Sequence, residues 1–223
     1  MMHDSKGLKT LVQCDFDGTI TEEDVSFVLL DTFADGNWRR LLDEYREGKI
    51  SVGVLNTKAF AMVKADKRSL LEAAKGGVKI RDGFHDLVDY SRRQGFRFVI
   101  VSNGLDFYID SILRDIGLED IEVFAARTRF TSNGLEVQYI GPDGNVLSDS
   151  FKDAYVNSFL KNDYQVIYAG NGTSDIQPAK RCHHIFATGE LLAYCEKTDL
   201  KHTAFTDCND IVKGLRLLPP DSP

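Results

Sequence analysis

An apolar segment from Leu8 to Cys14 ends directly in the sequence Asp-Phe-Asp-Gly-Thr-Ile-Thr at residues 15–21. The apolar run predicts a buried β-strand, and the glycine predicts a turn at its end. Because side chains alternate along an extended backbone, Asp15 and Asp17 share one side of the strand end. Two carboxylates in one small volume attract a cation, and a set of oxygen ligands suits Mg²⁺. Acidic residues are also common in turns without any function, so this segment alone leaves both interpretations open.

The later part of the chain alternates apolar strands with helices. The predicted strands are Phe96–Val101, Tyr164–Ala169, His184–Ala187 and Thr203–Phe205, together with a hairpin of Arg127–Phe130 and Leu135–Tyr139 around an Asn-Gly turn. This alternation is typical of an α/β fold with a doubly wound, mostly parallel sheet that helices cover on both faces. Ligands of such sheets bind at the carboxyl ends of the strands, which is where Asp15, Ser102 and Asn171 fall.

The segment 22–79 has a different sequence pattern, because its apolar residues recur at helical spacing and no strand is predicted between the helices. The stripes begin at Val25, Trp38, Leu55 and Leu70. We therefore predict a small helical cap at residues 22–79, inserted into an α/β catalytic core formed by residues 1–21 and 80–223. Trp38 and Tyr45 are expected in the core of this cap, although a cap also presents side chains to a substrate.

Composition and charge narrow the classes of function. The hydrophobic content is 43% and no apolar stretch has membrane length, so we expect a globular protein with no membrane partner. The net charge of −7 disfavours nucleic acid, since binding to a phosphate backbone needs clustered Lys and Arg. Residues 1–10 lack the pattern of a secretory signal, which predicts a cytoplasmic location.

Four segments carry a resemblance to a known family. Asp-Phe-Asp-Gly-Thr at residues 15–19 resembles the first signature of the haloacid dehalogenase superfamily of phosphoryl-transfer enzymes. Val99–Gly104, Lys152 and Gly170–Asp175 are similar to its second, third and fourth signatures, and they follow in the family's order. The resemblance implies an enzyme, a phosphoric monoester hydrolase, on a haloacid dehalogenase-like fold.

Finer similarities point to one branch of that superfamily. The second aspartate, Asp17, and the position of the helical cap resemble the phosphoserine-phosphatase-like group of phosphatases. Cys14–Thr21, Lys79–Phe84 and Ser102–Tyr108 are similar to segments of methionine-salvage phosphatases. This resemblance implies a small phosphorylated metabolite of the methionine-salvage or phosphoserine type as the substrate and partner.

The resemblance also implies roles for single residues. Asp15 is expected to attack phosphorus and form an aspartyl phosphate, and Asp17 to act as general acid and then as base. The predicted substrate-binding residues are Ser102, Asn103, Gly104 and Lys152, with Glu23 and Arg81 as further candidates near the cap. The predicted metal-site residues for the Mg²⁺ cofactor are Asp15, Asp17, Asn171 and Asp175, of which Asp175 is expected to act through water.

One position departs from the family pattern. Asn171 stands where the fourth signature usually has a carboxylate that binds Mg²⁺, and an amide oxygen brings no charge. Asn171 therefore leaves open, beside the Mg²⁺-dependent phosphatase, a phosphate-binding regulatory protein with weakened catalysis. A phosphotransferase to an alcohol acceptor is a further alternative. The sequence does not indicate the oligomeric state.

Overall fold

The computed structural model describes residues 9–218. The strands of this part of the chain are β1 (Lys9–Cys14), β2 (Arg97–Leu105), β3 (Glu122–Thr131), β4 (Gly134–Ile140), β5 (Val146–Leu147), β6 (Tyr164–Gly170), β7 (His184–Ala187) and β8 (Thr203–Ala204). The helices are α1 (Val25–Phe33), α2 (Trp38–Arg46), α3 (Val52–Phe60), α4 (Lys67–Gly76), α5 (Phe84–Arg93), α6 (Asp106–Asp115), α7 (Phe151–Lys161), α8 (Ile176–Ala179), α9 (Gly189–Thr198) and α10 (Cys208–Leu217).

The strands form one sheet in the order β5-β4-β3-β2-β1-β6-β7-β8. All neighbours from β3 to β8 run parallel, and β4 and β5 add antiparallel pairs at one edge. Strand β1 lies in the middle, where Leu11 and Val12 are fully buried. Burial on both faces explains why this strand is a continuous apolar run rather than an alternating one. The predicted α/β fold with a doubly wound, mostly parallel sheet is confirmed.

The predicted hairpin is part of a longer strand. Thr131 pairs with Gly134 at the turn, as the Asn-Gly signal predicts. Strand β3 begins earlier than predicted, at Glu122, because its first residues pair in parallel with β2. The hairpin therefore extends the central sheet.

Four helices, α1 to α4, occupy the segment predicted as a cap. Each begins at a side chain that accepts a hydrogen bond from the backbone N–H three residues later, which stabilises a helix start. These N-cap residues are Asp24, Asn37, Ser51 and Asp66. The helices bury Leu29, Leu42, Leu55 and Leu70.

The chain leaves the sheet for these helices and returns to it at adjacent points. Thr21 forms an antiparallel bridge with Ile80, and the backbone N–H of Glu22 donates to the carbonyl of Lys79 over 2.9 Å. Helix α3 also lies against β4. The division into a cap at 22–79 and a core at 1–21 and 80–223 stays a prediction, and residues 1–8 and 219–223 of that core lie outside the described part of the chain.

Helices long and apolar enough to cross a bilayer are absent from residues 9–218. The longest helix there, α7, has 11 residues. The cytoplasmic location stays a prediction.

Candidate active site

The carboxyl ends of three neighbouring strands bring the predicted residues together. Asp15 follows β1, Ser102 lies near the end of β2, and Asn171 follows β6. Because β2, β1 and β6 are adjacent and parallel, these positions meet at one edge of the sheet. They line a cavity of about 300 Å³, with Asp17 and Lys152. The site predicted from separate segments is thus one pocket.

The ammonium group of Lys152 lies between two carboxylates of this site and offsets their negative charge. Its Nζ lies 2.8 Å from Oδ2 of Asp15 and 2.6 Å from Oδ1 of Asp175, and the side chain is only 3% exposed. Burial opposes the charge of Lys152, but the carboxylates of Asp15 and Asp175 raise its pKa above the ordinary value. Burial raises the pKa of Asp15 to about 7, although the Lys152 ammonium lowers it. The side chain of Gln13 donates to the carbonyl of Lys152 and ties the start of α7 to the end of β1.

Asp175 is fully engaged by hydrogen bonds. Its Oδ1 accepts from Lys152 and, over 2.6 Å, from the hydroxyl of Tyr168. Its Oδ2 accepts from the backbone N–H groups of Asn171 and Gly172 over 3.0 and 2.8 Å. Four donors fill the lone pairs of both oxygens, so Asp175, predicted as a metal-site residue that acts through water, has no lone pair left for a metal or for its water. Asp175 instead fixes the loop that carries Asn171.

Asp17 is held by two hydroxyl groups on one of its oxygens. Its Oδ2 accepts from Tyr108 over 2.5 Å and from Ser26 over 3.3 Å. Burial raises the pKa of Asp17 above its ordinary value, and the nearby carboxylate of Asp24 raises it further. Within residues 9–218, Oδ1 of Asp17 and Oδ1 of Asp15 are both buried without a hydrogen-bond partner.

This pair of oxygens tests the predicted metal site. A buried carboxylate oxygen needs a hydrogen bond or a cation, and two of them lie in one pocket. The amide oxygen of Asn171 accepts from the hydroxyl of Thr19 over 3.0 Å and keeps a second lone pair. Asp15, Asp17 and Asn171 therefore present an all-oxygen set that fits Mg²⁺. The described residues contain no cluster of three His, Cys, Asp or Glu side chains that could hold a metal. A metal in this pocket would therefore need the amide oxygen of Asn171.

The turn between Asp17 and Thr19 depends on glycine. Gly18 has φ +73°, a conformation that costs a residue with a side chain about 1 kcal/mol or more. A Cβ at this position would also lie 2.2 Å from Nδ2 of Asn171. The Asp-Phe-Asp-Gly turn thus packs directly against the loop after β6.

The predicted phosphate-binding segment also lies in the pocket, with one correction. Ser102, Asn103 and Gly104 all line it. The N–H of Gly104 donates to the hydroxyl oxygen of Ser102 over 3.0 Å, so it is already engaged within the segment. Gly104, predicted to bind substrate, therefore has no free N–H for a phosphate oxygen, whereas the Ser102 hydroxyl keeps its own proton to donate.

Glu23 and Arg81 are not in this pocket. A carboxylate oxygen of Glu23 accepts from the backbone N–H of Lys79. Arg81 donates to the carbonyl groups of Thr19 and Gly18 over 2.9 and 3.0 Å. Both residues lie where the chain leaves and rejoins the sheet, and neither lines the pocket.

The helical segment supplies much of the remaining pocket wall, and Thr173, Ser174, Gly189 and Glu190 complete it. Its lining residues are Asp24, Ser26, Phe27, Leu42, Tyr45, Arg46, Val52, Leu55 and Asn56. Trp38 is buried among the cap helices and its indole N–H donates to Asp31, as a core residue would. Tyr45 lines the pocket instead, and its hydroxyl lies 2.9 Å from that of Thr173. Helical spacing predicted these helices but did not show which of their residues line the pocket.

Sequence reasoning missed two residues that join the helical segment to the predicted phosphate-binding segment, Asn56 and Tyr139, and a third, Asp24, that lies near Asp17. The side chain of Asn56 donates to the carbonyl of Asn103 over 2.9 Å and to the hydroxyl of Tyr139 over 2.7 Å. Tyr139 donates to the same carbonyl over 2.7 Å. Desolvation raises the pKa of Asp24 to about 6, and its side chain also caps α1. The N-cap pattern was the only sequence signal for Asp24.

Comparison with known proteins agrees with this geometry. The sequence model of the haloacid dehalogenase-like hydrolase family matches residues 12–180. The chain therefore belongs to the haloacid dehalogenase-like hydrolase family. The prediction of an enzyme, a phosphoric monoester hydrolase, is confirmed by its similarity to phosphatases of this family.

Particular relatives share most of the chain. A 2-hydroxy-3-keto-5-methylthiopentenyl-1-phosphate phosphatase of Geobacillus thermodenitrificans is 29% identical, over 92% of this chain and 94% of the relative. The bifunctional enzyme MtnB/MtnX of Bacillus licheniformis is 30% identical over 91% of this chain, which spans about half, 48%, of that longer protein. The structure of a phosphoserine phosphatase with a phospho-aspartyl intermediate analogue is similar in fold, with a TM-score of 0.69, 18% identity and coverage of 93% and 99% of the two chains.

Proposed function

We propose that the protein is a Mg²⁺-dependent phosphatase that hydrolyses a small phosphorylated metabolite through an aspartyl phosphate on Asp15. The observation that carries this proposal is the pair of buried carboxylate oxygens of Asp15 and Asp17, which find no hydrogen-bond partner within residues 9–218. They lie in the same cavity as the ammonium of Lys152. Asp15 and Asn171 would hold the Mg²⁺, which would offset the charge of the phosphate and of the carboxylate that attacks it. Asp17, also predicted as a ligand, would instead keep its free Oδ1 for the leaving group.

The side chains of the pocket perform the proposed reaction in two steps. In the first, an oxygen of Asp15 forms a bond to phosphorus while the bond to the leaving oxygen breaks. Asp17 gives its proton to that oxygen, so the product leaves as an alcohol. Lys152 and the Ser102 hydroxyl stabilise the negative charge on the phosphate oxygens.

The second step releases phosphate. Asp17, now a carboxylate, removes a proton from a water molecule whose oxygen attacks phosphorus. The bond between phosphorus and Asp15 breaks, and Asp15 regains its carboxylate. The raised pKa of Asp17 suits a group that must hold a proton in one step and accept one in the next.

The wall of the pocket favours a leaving group with an apolar part. Phe27, Leu42, Val52 and Leu55 supply apolar surface, and Arg46 adds a positive charge. The apolar residues suit a short carbon chain, while Arg46, Asp24 and Glu190 add charges of both signs. Because the Geobacillus relative is 29% identical to this chain, a phosphate ester like the one in its name is our preferred substrate type, ahead of phosphoserine. We also propose that residues 22–79 act as a cap that excludes water from residues 1–21 and 80–223.

Asn171 favours one alternative function. With an amide in place of a carboxylate, the site has less negative charge to hold Mg²⁺, so a phosphate-binding protein with weak turnover is the second candidate. Release of inorganic phosphate distinguishes the two. A phosphotransferase would instead produce a new phosphate ester when an alcohol is added.

The test is a panel of phosphate esters assayed across a Mg²⁺ titration. The panel includes a methylthio-substituted alkyl phosphate, O-phosphoserine and 4-nitrophenyl phosphate, each with and without glycerol as acceptor. We expect phosphate release that needs Mg²⁺ and is fastest with the methylthio ester. The Asp15→Asn variant is the matched control for contaminating phosphatases. Tight binding of intact ester without phosphate release at saturating Mg²⁺ would favour the binding protein instead.

A further inference from the structure

The hydroxyl of Tyr108 is buried and contacts Asp17, the proposed general acid. Tyr108 is on α6 and is 0% exposed. Its hydroxyl donates to Oδ2 of Asp17 over 2.5 Å and lies 2.9 Å from the hydroxyl of Ser26. Ser26 comes from α1 in the helical segment, so the contact joins three separate parts of the chain.

The contact between Tyr108 and Asp17 requires that residue 104 has no side chain. A Cβ on Gly104 would lie 2.1 Å from the Tyr108 hydroxyl and 2.5 Å from Oδ2 of Asp17. Any larger residue there would push the two groups apart. The lack of a side chain at Gly104 thus allows Tyr108 to reach Asp17. This is a role for the glycine other than binding phosphate.

Packing alone does not explain the hydroxyl of Tyr108. The ring lies among apolar neighbours, with ring-centre distances of 5.5 Å to Phe107 and 6.4 Å to Phe16. A phenylalanine would fill the same space, and a buried hydroxyl carries a desolvation cost unless it is hydrogen-bonded. Its partners in the described part of the chain are Asp17 and Ser26, so the hydroxyl acts on Asp17.

We infer that Tyr108 is a positioning residue that directs the acid–base oxygen of Asp17 towards the leaving group, an inference that rests on the proposed phosphatase function. Two hydroxyl donors on Oδ2 fix the rotation of the carboxyl group. They leave Oδ1 as the oxygen that carries the proton to be transferred. In the first step that proton moves from Oδ1 to the leaving oxygen as the bond to phosphorus breaks, while Tyr108 keeps its own proton.

Tyr108→Phe tests this role, since it removes the hydroxyl and keeps the ring. The experiment measures single-turnover release of alcohol or phenol across a series of phosphate esters whose leaving groups differ widely in pKa. Proton donation matters most for poor leaving groups, and general acids contribute about 10²–10⁴-fold. We expect alkyl ester cleavage to slow about tenfold to a hundredfold, and 4-nitrophenyl phosphate cleavage to slow less than about threefold. Ser26→Ala should change the series in the same direction by a smaller factor.

The matched control is Tyr155→Phe. Tyr155 is also a buried tyrosine, and its hydroxyl donates to the carbonyl of Ile140, away from the catalytic pocket. This variant should keep the leaving-group dependence of the parent protein. An equal loss across all leaving groups in Tyr108→Phe, or no loss, would overturn the inference.

A structural measurement separates this inference from the phosphatase proposal. Crystal structures of the parent and of Tyr108→Phe should show the Asp17 carboxyl group rotated in the variant. An unmoved Asp17 would contradict the positioning role whether or not the protein is active. Absence of phosphate release from every ester by the parent protein would instead contradict the proposed function, and the position of Asp17 would still decide the role of Tyr108.

Discussion

The two ends of the candidate catalytic pocket are built differently. At the proposed phosphate end, Asp15, Lys152 and Asp175 form one charged network in which Asp175 accepts four hydrogen bonds. At the proposed leaving-group end, helices contribute apolar side chains such as Phe27 and Leu42 beside polar ones. The side chains of the first end are fixed by ion pairs and hydrogen bonds, whereas Phe27 and Leu42 offer a substrate only van der Waals contacts.

This difference has consequences for mutation. A change in the charged network alters groups that are buried and coupled, so every substrate should be affected. A change in the apolar wall alters contacts with one part of one substrate. The comparison predicts large uniform effects at the phosphate end and small selective effects at the helical wall.

The largest effect is expected for Asp15→Asn. An amide does not attack phosphorus effectively, so phosphate release should fall by at least about 10⁴-fold for all esters. Circular dichroism and the thermal midpoint serve as controls for folding. Near-native turnover by a folded Asp15→Asn variant would show that Asp15 is not the nucleophile.

Asp17→Asn should cause the next largest loss. General acid catalysis contributes about 10²–10⁴-fold, so alkyl esters should lose activity on that scale, while 4-nitrophenyl phosphate loses less in the first step. Hydrolysis of the aspartyl phosphate should slow for every ester, because that step has no leaving alcohol. Rapid quenching separates the two steps, and equal losses in the first step across leaving groups would argue against Asp17 as the acid.

Asn171→Asp is expected to improve the enzyme. A carboxylate at this position adds a negative ligand, so Mg²⁺ should bind about tenfold tighter and turnover should rise most at limiting Mg²⁺. Calorimetry of Mg²⁺ binding and kinetics over a Mg²⁺ series measure both effects. No gain in affinity or rate would show that Asn171 does not contact the metal.

Spontaneous deamidation of Asn171 before Gly172 would complicate that comparison. In the folded protein the N–H of Gly172, whose nitrogen must attack the amide, donates to Asp175. We therefore expect deamidation to be slow, and mass spectrometry of fresh and aged samples measures it.

The smallest effect is expected at the helical wall. Val52→Thr keeps the volume and adds a hydroxyl group facing the pocket, so the methylthio ester should lose about threefold to tenfold relative to O-phosphoserine. Val54 lies on the same helix but does not line this pocket, so Val54→Thr is the matched control. An unchanged substrate ranking in Val52→Thr would show that this wall does not select the leaving group.

The same contrast explains what the sequence could predict. Asp15 and Asp17 lie one residue apart after an apolar strand, so local spacing revealed them. Lys152 and Asn171 were found through signatures that resemble the family. The fold followed from alternating strands and helices, whose periods depend on burial and are visible in a single sequence.

The remaining features depend on distant parts of the chain. Tyr108 reaches Asp17 only because α6 packs over the catalytic turn, and Asn56 reaches Asn103 only because α3 lies against the sheet. No local pattern encodes such contacts. Local spacing placed Glu23 too close to the chemistry, and the family resemblance did the same for Asp175, since their actual partners include backbone groups and Lys152.

The most direct test of the proposed mechanism is mass spectrometry of the protein after acid quenching during turnover. The proposal predicts that the peptide containing Asp15 gains the mass of one phosphoryl group within a single turnover, and that hydroxylamine removes it. The Asp15→Asn protein, treated in the same way, should show no such gain. Rapid phosphate release by the parent protein with no phosphorylated peptide at any quench time, or with the phosphoryl group on another residue, would contradict the claim that Asp15 is the nucleophile.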